Sequence, residues 1–299
     1  MVQIKTLNSI SNVGLDIFDR AKYEVSADAE SPEAILVRSA KLHDARFGSE
    51  LLCIARAGAG TNNIPVDRCA EDGIVVFNTP GANAEAVKEL VLCALLLSSR
   101  DILGGLEWVK SIAARGDEVA SLVEAGKNAY VGPELYGKTL GVIGLGAIGA
   151  KISNDAVSLG MNVFGYDPYM SVEAAWRLSS KVIHAKDINT IYKNADYITL
   201  HVPYMESTHH TINGQAIGQM KDGERIINLA RAELVDDDAM LAALASKKVA
   251  RYVTDFPNGK TAGAEGVIAI PHLGASTPES EDNCAYMAAA QVIDYIENG

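Results

Sequence analysis

The chain has 299 residues, about twice the length of a common single domain, so two domains are expected. Hydrophobic residues make up 48% of it, and the formal net charge of −12 disfavours nucleic acid and anionic membrane surfaces as partners. The cysteines lack metal-ligand spacing, no signal peptide is recognisable at the start, and the longest apolar run, residues 90–97, is too short to cross a bilayer. These features predict a cytoplasmic protein without a metal site.

The first part of the chain alternates short apolar runs with helical segments. Apolar runs of this length are typical of parallel strands that are buried on both faces. Strands are predicted at residues 2–7, 34–37, 51–55 and 73–77, with helices at 13–20 and 65–71. This pattern predicts a small parallel α/β domain.

Polar and small residues follow two of these predicted strands. Arg38 and Ser39 follow the second strand, and Arg56, Ala57 and Gly58 follow the third. Ligands of open parallel sheets bind beyond the carboxyl ends of the strands. The planar guanidinium group binds carboxylate and phosphate in bidentate fashion, so the two arginines are candidates for holding an anionic substrate.

The second part of the chain continues the same alternation after two helical stretches, residues 83–99 and 101–137. Strands are predicted at residues 139–143, 162–166, 181–184, 197–201, 224–228, 250–254 and 267–270, and helices at 148–159, 188–193, 236–246 and 279–297. Strands that alternate with helices predict a doubly wound parallel sheet.

A glycine-rich turn lies between the first strand and the next helix of this second part. Gly144, Gly146 and Gly149 have the G-x-G-x-x-G spacing. They permit a tight turn, a close approach of backbone to a pyrophosphate, and close packing of the helix, whose N-terminus binds the phosphates. Asp167 ends the following strand. Its carboxylate can bind the ribose hydroxyls of NAD and would repel the additional phosphate of NADP, so the predicted cofactor is NAD.

Three ionisable residues, Arg231, Asp255 and His272, follow later strands of the same domain. Oxidation of a 2-hydroxy acid needs a base for the hydroxyl proton and a cation for the carboxylate. Histidine titrates near neutral pH and suits the first role, and arginine suits the second. A small anionic 2-hydroxy acid is therefore the predicted substrate class.

Several stretches resemble a known family when they are taken together. They are residues 83–90, 141–149, 201–203, 228–236 and 271–277. In this order they resemble the D-isomer-specific 2-hydroxyacid dehydrogenases over essentially the whole chain. The resemblance implies two doubly wound α/β domains and a homodimer formed through the nucleotide domains.

The resemblance also implies the domain boundaries. A flavodoxin-like substrate domain is expected from residues 1–82 together with residues 274–299. A Rossmann NAD-binding domain is expected at residues 83–273, inserted into the substrate domain.

Roles for individual residues follow from the resemblance in the same way. It implies that Arg231 anchors the substrate carboxylate and carbonyl, that His272 is the acid and base, and that N–H groups near Ala57 and Gly58 help to hold the carboxylate. The cofactor contacts that it implies are Gly144, Gly146, Ala147, Ile148, Asp167, His201, Val202, Pro203, Ala230, Asp255 and Gly274.

The resemblance favours oxidation of 3-phosphoglycerate to 3-phosphohydroxypyruvate, the entry step to serine, with Arg38 and Arg56 on the phosphate. Two alternatives stay open at this point. One is a dehydrogenase or reductase of another D-2-hydroxy acid, such as the glycerate and hydroxypyruvate pair. The other is a protein of the same fold that senses NAD and has no catalytic activity.

The sequence departs from the family pattern in two places. The family has a glutamate five residues after the strand-ending aspartate, hydrogen-bonded to the catalytic histidine, but position 260 here is Lys260. If Lys260 faces His272, its positive charge should lower the pKa of the imidazole. The chain also ends at Gly299, so a form without the C-terminal serine-binding domain is expected.

Overall fold

A computed structural model describes residues 1–299, except for the side chain of residue 173. The chain forms two compact units. The first comprises Met1–Ala86 and Ala275–Gly299, and the second comprises Val87–Gly274. The boundaries between the units lie at 86/87 and 274/275. The sequence analysis placed the domain boundaries at 82/83 and 273/274.

The first unit is built on a five-stranded parallel sheet. Its strands are β1 (Val2–Leu7), β2 (Tyr23–Ser26), β3 (Ala34–Val37), β4 (Cys53–Arg56) and β5 (Val75–Phe77), in the order β2-β1-β3-β4-β5. Its helices are α1 (Asn12–Leu15) and α2 (Val66–Glu71), together with the C-terminal helix α11 (Pro278–Asn298). Residues of α11 are buried with one face of the sheet, and Cys69 of α2 is buried with the other. Two helix-covered faces make this a doubly wound domain, as predicted.

The second unit is built on a seven-stranded parallel sheet. Its strands are β6 (Thr139–Ile143), β7 (Asn162–Tyr166), β8 (Ile183–His184), β9 (Tyr197–Leu200), β10 (Glu224–Asn228), β11 (Val249–Thr254) and β12 (Val267–Ala269). The spatial order is β12-β11-β10-β9-β6-β7-β8. In chain order, strands β6 to β8 extend to one side of the sheet and strands β9 to β12 extend to the other side. The switch point between β6 and β9 is where doubly wound sheets bind nucleotides.

The helices of the second unit cover both faces of that sheet. They are α3 (Ala84–Ser99), which starts just before the unit boundary, α4 (Ile102–Ile112), α5 (Val119–Gly126), α6 (Ala147–Ser158), α7 (Val172–Trp176), α8 (Ile188–Asn194), α9 (Gly214–Gln219) and α10 (Asp237–Ala245). Short 3-10 helices occupy Ala113–Glu118, Lys127–Tyr130, Glu206–Thr208 and Ala232–Leu234. One apolar core contains α8, α9 and α10, and the other contains α3 and α6.

One predicted helix is wrong. A single helix was predicted over residues 13–20, but α1 ends at Leu15. Gly14 lies so close to α11 that an added Cβ atom would be 2.4 Å from the carbonyl of Ala285. Beyond α1 the chain turns to place the Phe18 ring against Tyr23, with ring centroids 5.3 Å apart. The tertiary contact with the next strand therefore ends the helix early.

Strand β2 and helices α7 and α9 were missed by the sequence analysis. Strand β2 is an edge strand of only four residues, Tyr23–Ser26, so its alternation of apolar and polar side chains is too short to stand out in the sequence. Helix α9 contains two glycines, Gly214 and Gly218, and glycine is a poor helix former. The side chain of Asn213, the residue before the helix, caps its first turn, and burial of Ala216 and Ile217 stabilises it.

The sequence analysis predicted that residues 101–137 are helical and at the surface, but residues 131–137 form no helix and Leu135 is buried. The prediction holds for the stretch from α4 to the 3-10 helix at Lys127–Tyr130. None of its side chains is buried. Several of them are nevertheless large and apolar, including Leu103, Leu106 and Val109. Among the residues described, no helix is both long and apolar enough to cross a membrane.

Candidate functional site

The glycine turn after β6 has the geometry that the G-x-G-x-x-G spacing predicted. Gly144 has a φ of +92°, and an added Cβ atom would lie 2.6 Å from the carbonyl oxygen of His201. An added Cβ atom at Gly149 would lie 1.9 Å from the carbonyl oxygen of Gly144. At Gly146 it would meet nothing within 4 Å. The first and third glycines are thus required by the fold, whereas the second faces open space that a pyrophosphate can occupy.

Helix α6 begins directly at this turn. It starts at Ala147, followed by Ile148, and Gly146 precedes it without a side-chain cap. The N–H groups of a first helical turn have no partner within the helix, and they carry a partial positive charge. The turn and the helix start together therefore fit the phosphates of a dinucleotide.

Asp167 follows β7, next to the glycine turn. Its Oδ2 accepts a hydrogen bond from Leu145 N at 2.8 Å, and its Oδ1 accepts one from Tyr169 N at 2.9 Å. Each carboxylate oxygen can accept a second hydrogen bond. The carboxylate is thus fixed in place with capacity for a hydroxyl donor, which fits the ribose of NAD.

The residues after β9 form the other side of the switch point. His201 Nε2 lies 2.9 Å from Thr199 Oγ1, and burial of the ring lowers the pKa of His201 to about 4 although the residue as a whole is partly exposed. The imidazole is therefore neutral near pH 7. Val202 packs at Gly144, and Pro203 follows it on the surface. These three residues therefore stay predicted cofactor contacts.

Arg231 is placed by a turn that follows β10. The buried Asn228 accepts hydrogen bonds from Ala230 N at 3.1 Å and from Arg231 N at 3.3 Å, and its Nδ2 donates to Arg231 O at 2.8 Å. Arg231 NH1 donates to Ala230 O at 2.6 Å. Arg231 is partly buried, so its guanidinium is held at the carboxyl end of the sheet with further donors available.

Asp255 is buried at the end of β11, with an exposed fraction of 1%. Its Oδ1 accepts Leu273 N at 2.7 Å and its Oδ2 accepts Gly274 N at 2.9 Å. Burial raises the pKa of Asp255, and the two N–H donors together with His272 oppose that effect. The carboxyl group thus ties β11 to the loop that carries His272, in addition to its predicted place near the nicotinamide.

His272 itself has an unusual backbone conformation. Its φ is +51°, its N–H donates to Ile270 O at 3.0 Å, and its ring lies against the Phe256 ring with centroids 4.7 Å apart at 53°. A non-glycine residue with positive φ is uncommon and occurs most often where surrounding contacts impose it. The sequence analysis did not identify Phe256 or Asn228 as site residues. Their positions directly after β11 and at the end of β10 were the available signals.

Lys260 does not supply a charge to His272 as the hypothesis required. Its Nζ donates to both carboxylate oxygens of Asp238, at 2.7 and 2.9 Å, on the protein surface. This pairing raises the pKa of Lys260, with the Asp238 hydrogen bond as the main cause. The expected lowering of the His272 pKa by Lys260 is therefore not supported.

In the first unit, Arg38 follows β3 and Arg56 is the last residue of β4, and each already has protein partners. Arg38 NH2 donates to Glu281 Oε1 at 2.6 Å. Arg56 Nε donates to Arg38 O at 3.1 Å, and its NH1 donates to Gly60 O. The Arg56 guanidinium is thereby held in one orientation at the carboxyl end of the sheet.

N–H groups near Ala57 and Gly58 were expected to hold a carboxylate, but those of Ala57 and Gly58 themselves have acceptors within the fold. Ala57 N donates to Val37 O at 2.8 Å because it extends the ladder between β3 and β4. Gly58 N donates to Thr79 Oγ1 at 2.8 Å and to Arg56 O at 2.9 Å. Both donors are used inside the fold. The next residues of the loop, 59 and 60, are the first whose N–H groups have no acceptor in the described chain.

A cavity of about 420 Å³ lies at the carboxyl ends of β3 and β4. Its lining residues carry three groups that can be cationic and three that are polar, and they are Ser39, Lys41, His43, Arg56, Asn62 and Asn63. No carboxylate occurs among these described lining residues. Asn63 Oδ1 is buried, and no donor in the described chain reaches it. The cavity is therefore suited to a small anion that also carries a hydroxyl group.

The part of the chain that the structure describes contains no group of three or more histidine, cysteine or carboxylate side chains that could hold a metal ion. The cysteines are free thiols, of which Cys53, Cys69 and Cys284 are buried. Burial raises the pKa of Cys53 to about 12, so this thiol is unreactive near neutral pH.

Comparisons with known proteins agree with this geometry. Residues 102–274 match the family model described as "D-isomer specific 2-hydroxyacid dehydrogenase, NAD binding domain". D-3-phosphoglycerate dehydrogenase of Synechocystis is 32% identical over 99% of this chain and 54% of its own length. Hydroxypyruvate reductase of Thermotoga maritima is 37% identical over 83% of this chain and 80% of its own. The chain thus spans about half the length of the first of these curated relatives.

Solved structures show the same fold. NAD+-bound 3-phosphoglycerate dehydrogenase of Entamoeba histolytica superposes with a TM-score of 0.77 at 25% identity, covering 100% of this chain and 96% of that one. D-mandelate dehydrogenase of Rhodotorula graminis superposes with a TM-score of 0.80 at 24% identity, covering 98% and 94%. This chain and these proteins thus share the fold of two parallel-sheet domains.

Proposed function

Because the chain belongs to the D-isomer specific 2-hydroxyacid dehydrogenase family, we propose that it oxidises 3-phosphoglycerate to 3-phosphohydroxypyruvate with NAD, a step of serine synthesis. The relatives that carry the name D-3-phosphoglycerate dehydrogenase support this substrate. The observation that carries the proposal is the cavity at β3 and β4, which is lined by Lys41, His43 and Arg56 without a carboxylate. A phosphate group matches this charge, whereas an uncharged substrate end would leave it uncompensated.

The residues at the switch point of the second unit would hold the cofactor. Gly144, Gly146, Ala147 and Ile148 would bind the pyrophosphate, and Asp167 would bind the adenosine ribose. The peptide segments at His201, Val202, Pro203 and Ala230, with Asp255 and Gly274, would surround the nicotinamide end. NAD, when bound, supplies the acceptor for the hydride.

The chemical roles divide between two side chains. Arg231 would hold the substrate carboxylate with the donors that its bond to Ala230 leaves free. His272 would accept the proton of the hydroxyl group. The hydride would leave the carbon that bears this hydroxyl group and pass to NAD, and the carbonyl group would form. In the reverse direction His272 would return that proton. The developing oxygen charge would lie beside the Arg231 guanidinium.

The remaining contacts to substrate would come from the first unit. Arg56 and Ser39, with Lys41, would hold the phosphate, and Arg38 would contribute after exchanging its contact with Glu281. The N–H groups of residues 59 and 60 replace those of Ala57 and Gly58 as the proposed main-chain donors to the carboxylate.

The proposed assembly is a homodimer formed through the second unit. The segment from α4 to α5 contains exposed Leu103, Leu106 and Val109 and buries no side chain in one copy. Such an apolar surface is rare in monomers and marks an association site. Leu106→Lys should produce monomers by light scattering, while Leu159→Lys, an exposed leucine on α6, should leave the assembly intact. Monomeric wild-type protein would contradict the proposal.

The decisive assay is formation of NADH from 3-phosphoglycerate and from glycerate. Arg56→Ala and Lys41→Ala should raise KM for 3-phosphoglycerate about tenfold or more, because a charged hydrogen bond is lost, and should change KM for glycerate little. Arg20→Ala, an exposed arginine of the same unit, is the matched control.

The assay also distinguishes two other functions. A higher kcat/KM with glycerate or hydroxypyruvate would favour the activity named for the Thermotoga relative. NADH binding without turnover of any 2-hydroxy acid would favour a sensor of NAD.

A further inference from the structure

The orientation of the His272 ring needs a physical cause, because position 260 is a lysine and its ammonium group is bound to Asp238. The loop that carries Lys260 is itself fixed toward α10, since Asn258 Nδ2 donates to Asp237 Oδ2 at 2.7 Å. A side chain at position 260 is therefore held at the α10 surface. Two other residues of the second unit, Asp255 and Phe256, contact the loop and the ring of His272.

The backbone of His272 is held from its C-terminal side. The two carboxylate oxygens of Asp255 bind the N–H groups of Leu273 and Gly274, at 2.7 and 2.9 Å. Because Asp255 is almost completely buried and ends β11, these bonds attach the loop to the sheet. Positive φ is unfavourable for a residue with a Cβ atom, so such attachment stabilises His272 in this conformation.

The ring of His272 is held by a second contact. Phe256 lies one residue beyond Asp255, and its ring centroid is 4.7 Å from that of the imidazole at an angle of 53°. Phe256 N donates to Thr254 Oγ1 at 3.1 Å, which fixes the start of the loop that carries the phenyl ring. An aromatic pair in this arrangement favours one ring orientation over others.

We propose that Asp255 and Phe256 position the His272 imidazole in this protein, in place of the glutamate that the family pattern has at position 260. The proposal rests on the proposed function in that His272 is the proton acceptor. Asp255 fixes the main chain on one side, and the Phe256 ring limits rotation of the imidazole. Both are positioning residues, because they act through His272.

Phe256→Leu tests the ring contact. It should lower kcat about tenfold, because a misplaced base loses part of its general-base catalysis, while KM for the 2-hydroxy acid stays within about twofold. Phe256→Tyr keeps the ring and should restore kcat. Lys260→Ala is the matched control on the same loop and should keep kcat within about twofold. Phe256→Leu with unchanged kcat, or Lys260→Ala with an equal loss, would overturn the proposal.

Two further measurements use cofactor-free protein and do not depend on turnover. In NMR spectra the His272 ring protons, assigned with His272→Gln, should lose a ring-current shift in Phe256→Leu and keep it in Lys260→Ala. In Asp255→Asn, the amide protons of Leu273 and Gly274 should exchange faster, since a carboxamide can accept only one of the two bonds. Unchanged signals and exchange rates would reject the positioning roles. Normal NMR results without turnover of any 2-hydroxy acid would reject only the proposed function.

Discussion

The two ends of the seven-stranded sheet differ in the hydrogen bonds that their carboxyl groups accept. At the carboxyl end, Asp167 and Asp255 each accept two main-chain N–H groups. At the amino end, Glu224 begins β10 with an exposed fraction of 1%, and neither of its oxygens has a hydrogen-bond partner of normal geometry among the described residues. The carboxyl end is arranged for ionised groups, and the amino end is not.

The pKa of Glu224 reflects this difference. Burial raises it to about 9, and the nearby Lys221 N–H and ammonium group offset only part of that effect. The surrounding charges are already paired, since Lys221 binds Asp196 at 2.9 Å and Lys248 binds Asp222 at 2.8 Å. Glu224 is therefore protonated near pH 7 and has no charge with which to bind a ligand.

The largest expected effect distinguishes two arginines at opposite ends of β10. Arg231 lies beyond its carboxyl end, and Arg225 lies near its start. Arg231→Ala should lower kcat/KM about a thousandfold, the scale of losing one preorganised electrostatic contact, and should leave the NADH dissociation constant nearly unchanged. Arg225 lies at the other end and donates to Ser98 O at 2.8 Å. Arg225→Ala should lower the unfolding temperature without lowering kcat of the folded protein. Equal losses of kcat/KM in both variants would remove the distinction between the two ends.

An intermediate effect is expected for two aspartates. Asp167→Ala should weaken NADH binding about tenfold, since charged hydrogen bonds to the ribose are lost, and should narrow the preference over NADPH. Asp196 directly precedes β9, and its Oδ2 accepts a hydrogen bond from Thr139 N at 2.8 Å. Asp196→Ala should destabilise the fold and leave cofactor preference unchanged in a fluorescence titration. Tighter binding of NADPH than NADH by the wild-type protein would contradict the assignment of Asp167.

The smallest expected effect is a gain in stability. Glu224→Gln should raise the free energy of unfolding by about 1–3 kcal/mol at pH 7–8. The sign follows from the raised pKa. The unfolded chain releases this proton near the ordinary value of 4.5 and the folded protein only near 9, so the wild type loses stability between these values. The gain should be absent below pH 4 and constant above about pH 9.

Denaturant unfolding at several pH values measures this gain, with the exposed Glu24→Gln as the matched control. NADH affinity and kcat of Glu224→Gln should equal those of the wild type. A variant that is less stable at every pH would show that Glu224 is ionised and has a partner in the folded protein.

Much of the fold could be predicted because local sequence and tertiary structure agree. Strands β1, β3, β6, β7 and β10 have the predicted bounds, and α6 begins one residue earlier than predicted. The failures occurred where tertiary contacts decided. Helix α1 is short because Gly14 packs on α11 and Phe18 must reach Tyr23. Helix α9 forms despite two glycines because its apolar residues are buried.

The candidate site divides in the same way. Gly144 and Gly149 could be identified from spacing alone, because a positive φ and a 1.9 Å approach exclude side chains at these positions. Spacing also placed Arg38, Arg56, Arg231 and His272 after strands. It could not show which donors remain available, and the N–H groups of Ala57 and Gly58 proved to be used within the fold.

The sequence by itself determined the family, the two parallel-sheet domains and the glycine turn, because these depend on apolar periodicity and on residues whose conformational range is special. Only the tertiary structure decided the direction of Lys260, the attachment of the His272 loop to Asp255, and the protonated state of Glu224. Each of these depends on distances between residues far apart in the chain and on their removal from water. The residue type alone does not show whether a partner neutralises the charge of a carboxyl or ammonium group.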